Sequence, residues 1–140
     1  MGQAQLLLIV LGVVLVGIAI IAGIQAYDQN NRKASVDALT HDAIRIASDL
    51  QIWAQKPVQF GGPETYADFA AATSAGLTAP EAFGYEDPHV NSNGSCALTT
   101  VATANVVIEC QNTTLGTLVE VTVIGLSDED ITVSDYDMGS

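Results

Sequence analysis

Residues 6–24 read LLLIVLGVVLVGIAIIAGI, nineteen positions without a charged or hydrogen-bonding side chain. As a helix this run rises about 28 Å, close to the roughly 30 Å hydrocarbon thickness of a bilayer. A secretory signal has a shorter apolar region, a basic start and a small-x-small cleavage site. Nothing before Leu6 is basic, and the run is long. The reading is therefore a spanning or membrane-derived helix.

The next stretch, DQNNRKASVDALTHDAIRIASDLQIWAQKP (28–57), changes character. Val36, Leu39, Ala43, Ile46, Leu50 and Trp53 recur at alternating spacings of three and four, one face of a helix. No proline falls between Met1 and Lys56, and Pro57 supplies a stop. A single helix from about Gln3 to Gln55, roughly 80 Å long, is predicted. Residues 1–27 are apolar all round and need lipid or other helices. Residues 28–56 are an amphipathic continuation that needs a sheet or bundle to cover its stripe.

Gly12, Gly17 and Gly23 interrupt the apolar half, each weakening a helix by about 1 kcal/mol relative to alanine. Small residues also permit close helix contacts, and glycine is common in membrane spans. The stretch from Gly17 to Gly23 is the candidate for partial melting.

Residues 57–95 read as a connecting loop. Gly61-Gly62-Pro63 is a break, Glu64 to about Ser74 a short helix with Tyr66, Phe69 and Ala70 inward, and 84–95 mostly loop. Residues 96–140 read as antiparallel sheet. Ala97–Val101 and Val106–Glu109 form a hairpin. TLVEVTVIG (117–125) alternates, with Val119, Val121 and Val123 on one face. DITVSD (130–135) is a short fourth strand. The fold class is α+β, with the amphipathic half of the helix packed on the sheet.

The charge is lopsided. Arg32, Lys33, Arg45 and Lys56 balance Asp28, Asp37, Asp42 and Asp49, so the net charge of −12 resides wholly in residues 57–140. Such a domain repels nucleic acid phosphates and anionic membrane surfaces. Cys96 and Cys110 are the only cysteines. A bridge between them closes a 15-residue loop and contributes roughly 3 kcal/mol on the loop-entropy model; two buried free thiols are the alternative. Two cysteines and the distant His41 and His89 lack zinc-ligand spacing. Disulfides persist outside the cytoplasm, whereas Arg32 and Lys33 after the span favour a cytoplasmic C-terminal part. A basic leader upstream, with Met1 not the original start, reconciles the two.

The order QLLLIVLGVVLVGIAIIAGIQAY (5–27), helical stripe, glycine-rich loop and strand meander resembles a type IV pilin, or the related pseudopilins of type II secretion. The resemblance covers the whole chain and lies in the order of its segments. It implies a subunit that waits in the inner membrane and is extracted by a pilus assembly machinery. Its apolar helix then joins identical helices at the core of an extracellular filament, so the partner is a second copy of itself. On this reading Leu6, Leu7, Leu8, Val10, Leu11, Val14, Leu15, Ile18 and Ile21 form the assembly core. The chain departs from the pattern at Gln5, where pilins usually carry glutamate, and at Ala22, where proline is common. Those departures suit a divergent branch, a minor tip subunit or an uncleaved relative. The alternative function is a single-span anchor carrying an acidic binding module.

Little points to catalysis or a cofactor. Ser35, Asp37 and His41 are close in sequence, and Asp37 and His41 share a helix face as a solvated pair. No phosphate loop, CxxC or HExxH occurs. SDEDITVSDYD (127–137) offers Asp128, Asp130 and Asp135 as calcium ligands, without a loop glycine or fixed ligand pattern; a solvated acidic turn is the plainer reading. Asn93 (NGS) and Asn112 (NTT) match the glycosylation pattern.

Overall fold

The computed structural model describes residues 2–63, 69, 84–86 and 88–139. One helix, α1 (Gly2–Ala54), runs 53 residues without interruption. The chain then makes a turn of 3-10 helix, Val58–Phe60, closed by Gly61 in the left-handed region at φ 80°. Pro57 denies the helix its next donor, and a glycine tolerates the conformation that reverses the chain. Trp53 Nε1 donates to the Gly61 carbonyl at 2.9 Å, tying the reversal to the last turn of α1. The expected short helix at 64–74 lies outside the described residues, except that Phe69 is buried in the core.

Five strands follow in a meander of order β1-β2-β3-β4-β5, every neighbouring pair antiparallel. They are β1 (His89–Val90), β2 (Ser95–Val101), β3 (Val106–Asn112), β4 (Thr117–Val123) and β5 (Ile131–Asp137). Two differ from the sequence reading. The two-residue β1 sits inside the stretch read as loop, pairing with Cys96 and Ser95. The expected fourth strand, read as short, is the seven-residue edge strand β5. β4 supports it by a ladder from Leu118↔Asp137 to Val123↔Ile131, with an irregularity at Glu120/Val121.

Alternation along β3 and β4 creates the core. Val106, Ile108, Cys110, Val119, Val121 and Val123 all face α1 and are fully buried. Opposite them, Leu39, Ala43, Ile46, Leu50 and Trp53 of the stripe are buried, and Val36 is partly covered at its N-terminal end. Ala43 and Ala47 are both inaccessible to solvent; their small side chains let the helix lie close on the valines. Cys96 and Cys110 are disulfide-bonded, directly opposite each other across β2 and β3 with Cα atoms 4.0 Å apart. The bridge lies on the buried face. A disulfide of this kind belongs to an oxidising environment.

Candidate functional site

Half of α1 has no cover. From Gly2 to Asn30 every residue is exposed, and the nine residues proposed as assembly core, Leu6, Leu7, Leu8, Val10, Leu11, Val14, Leu15, Ile18 and Ile21, are 50–69% accessible. No side of this half is favoured, as a sequence apolar all round requires. Fully burying one such side chain stabilises by about 1.5–3 kcal/mol. The fourteen Leu, Ile and Val side chains of residues 6–24 therefore represent on the order of 10 kcal/mol or more left unrealised. That rivals the whole net stability of a typical domain, roughly 5–15 kcal/mol. So large an apolar surface is unfavourable in water. The helix has the length and composition of a membrane span.

Gly12, Gly17 and Gly23 have no neighbour within 4 Å of where a Cβ would stand, so nothing inside the isolated chain calls for glycine there. α1 runs unbroken through all three.

The exposed half is joined to the domain without a hinge, because the same helix continues into the packed half. Polar struts reinforce the hydrophobic contact along its length. Arg32 Nη1 donates to the carbonyls of Leu115 at 3.2 Å and Met138 at 3.1 Å. The Ser35 and Thr117 hydroxyls share a buried hydrogen bond of 2.8 Å. Gln51 Nε2 donates to the carbonyls of Gly125 at 2.8 Å and Ser127 at 3.0 Å. On the side of α1 that carries Ser35, Asp42 Oδ2 accepts from Asn91 Nδ2 and Asn93 Nδ2, both at 2.8 Å, and the Tyr85 hydroxyl donates to Asp49 Oδ2. These contacts hold the segment before β2 against the helix. Burial pushes the Tyr85 phenol above its ordinary range, and the bond to Asp49 and that carboxylate's charge add to the rise. Among the described residues, no buried side-chain nitrogen or oxygen lacks a hydrogen-bond partner.

The polar residues singled out in the sequence do not converge. Ser35 faces the sheet and is bonded to Thr117, while Asp37 and His41 are exposed. The calcium candidate is not assembled. Asp130 accepts from the Ser127 backbone at 2.9 Å and closes a capping box on the 3-10 turn Asp128–Asp130, whereas Asp135 pairs with Glu120 in the sheet. Among the described residues no group of three or more His, Cys, Asp or Glu is arranged to hold a metal ion. The two sequon asparagines are struts. Asn93 reaches Asp42, and Asn112 Nδ2 donates to the Asn93 carbonyl at 2.7 Å while its Oδ1 accepts from Thr114 and Leu115.

Sequence reasoning located the helix stripe and the disulfide but missed Arg32 and Gln51 as struts. Gln51 is flanked by the apolar Leu50 and Ile52, and its partners are backbone carbonyls more than seventy residues away. The architecture is a long apolar N-terminal helix on a small disulfide-bonded antiparallel sheet, and it agrees with a pilin-like arrangement. In comparisons with known proteins, no family model, curated protein or solved structure matches the chain.

Proposed function

We propose that this chain is the repeating subunit of an extracellular filament resembling a type IV pilus, assembled through its N-terminal helix. One observation carries the reading: Leu6–Ile24 is exposed on every side of a helix that passes into the domain without a hinge. A bilayer and a bundle of like helices are both apolar media, so one segment serves a precursor in the inner membrane and a subunit in the filament core. The acidic domain then faces water, and its charge keeps filaments from coalescing. Partners are other copies of the chain and the machinery that extracts it from the membrane.

The test is to shear native cells, image the released material by electron microscopy and identify its polypeptide by mass spectrometry. Thin filaments built of this chain are expected. A Leu15→Asp chain should yield none, while keeping its disulfide and the native emission of Trp53. Filaments formed normally by that variant would overturn the reading. So would a wild-type chain confined to the membrane fraction as a monomer, which is the behaviour of an anchored module.

A further inference from the structure

The sheet is wider than the helix that covers it. Strands lie about 4.8 Å apart and a helix with its side chains is about 10 Å across, so one helix covers about two strands. α1 packs chiefly on β3 and β4 and touches β5 least of the three. On the other flank the connector closes the gap. Phe69 enters the core and bonds the Thr103 carbonyl through its backbone at 3.4 Å, and the Tyr85 ring meets His89 of β1 edge-on at 4.8 Å. On the β5 flank Leu126 and Ile131 pack against the core at one end, beside the Gln51 strut, and beyond them none of the described residues covers β5 in the same way.

What is left open there is the inner face of the sheet. Val133 is paired with the buried Val121, and Tyr136 with the buried Val119, so both point to the helix side. The irregularity beside Glu120 leaves Ser134 outside the one-to-one pairing, which keeps both inward despite a separation of three. Yet Val133 is 47% exposed, Tyr136 59% and Met138 47%. With Lys33, Val36, Asp37 and Thr40 of α1 they border a groove of about 440 Å³, its charged side chains on the helix wall and its apolar ones on the sheet wall beside Val36.

We propose that this groove receives the apolar helix, Leu6–Ile24, of a second copy of the chain. The inference rests on the self-assembly reading above and specifies where the domain takes part in it. Three features select this occupant. The groove starts at Lys33, three residues beyond the last residue of the exposed half, so a helix lying along that half in one copy continues into the groove when the copies are axially staggered. The domain behind it carries twelve acidic residues and no lysine or arginine after Lys56, which repels an acidic peptide or an anionic lipid surface but not an uncharged helix. Leu6–Ile24 is uncharged, exposed and unable to fold back onto its own domain, because α1 is continuous.

The experiment replaces Tyr136 with the photoreactive benzoylphenylalanine in the full chain, with Thr132, paired to Thr122 on the outer face, as the control position. Irradiated assemblies should give covalent dimers in which position 136 is joined to a peptide within residues 6–24 of the other copy, and position 132 should not. In parallel, Val133→Glu and Met138→Glu chains, checked for native Trp53 emission, should need about tenfold more protein to assemble, since a charge enters an apolar contact. Adducts of position 136 to lipid, to another region or to nothing in intact assemblies would overturn the groove while leaving self-assembly standing. So would unimpaired assembly of both glutamate variants. A wild-type chain that never assembles would remove the self-assembly reading, and this inference with it.

Discussion

Ser35 on α1 and Thr117 at the start of β4 join their hydroxyls at 2.8 Å within the buried helix–sheet contact. Each is the other's partner in a place that water does not reach. Thr117→Val should cost about 1–3 kcal/mol, because it strands the Ser35 hydroxyl. The double variant Ser35→Ala, Thr117→Val should recover much of that loss. Chemical denaturation of the detergent-solubilised chain, followed by its single tryptophan at the same interface, measures both.

Gly94 sits just before β2 against the partner strand. A Cβ there would fall 2.3 Å from the Gln111 carbonyl oxygen and 3.0 Å from Leu39 Cδ2. Backbone cannot yield as a flexible side chain does, so Gly94→Ala should destabilise by about 1–3 kcal/mol. The same denaturation curve reads it. Gly12→Ala, with open space around its Cβ, should show no such loss in the isolated chain.

Glu109, Glu120 and Asp135 lie side by side on the outer face, paired in register across β3, β4 and β5. Like charges directly opposite one another destabilise a sheet, and salt screens them. Glu120→Gln should raise the unfolding free energy in low salt by a few tenths of a kcal/mol. The difference from wild type should shrink as salt is added. A gap that persists in concentrated salt would refute the electrostatic origin.

Tyr85 gives the domain an alkaline sensitivity. Its phenol is held above the ordinary value of about 10 by burial and by Asp49. For a group whose folded pKa is raised, the stabilising contribution is complete below the unfolded pKa and is lost as pH rises through the folded one. Stability should therefore decline from about pH 10 upward. In Tyr85→Phe that decline should be smaller, as read by phenolate absorbance and denaturation together.

The helix was legible because its two halves obey two simple rules. Leu6–Ile24 excludes polar side chains altogether, and Val36 to Trp53 repeats at helical spacing. Val119, Val121 and Val123 announced β4 by strict alternation, and all three are buried. β1 was hidden because two residues, His89 and Val90, carry no period at all. β5 was underestimated because its acidic, exposed edge looks like a turn; its register comes from β4 rather than from its own pattern. The struts were illegible for a related reason. Arg32, Ser35 and Gln51 are ordinary helix-surface residues until the fold brings Leu115, Thr117 and Gly125 beneath them.

Those struts also set how the molecule answers to force. Arg32 and Gln51 lie nineteen residues apart on α1, a spacing of about 28 Å. A pull along the helix axis loads every strut and every buried side chain between them together, in shear. A pull across the axis would unzip them one after another at much lower force. Should the sheet give way, the Cys96–Cys110 bond withholds the thirteen residues between the cysteines from stretching, shortening the released chain by about 45 Å. The domain is thus strongest along the one direction in which its protruding helix can transmit tension.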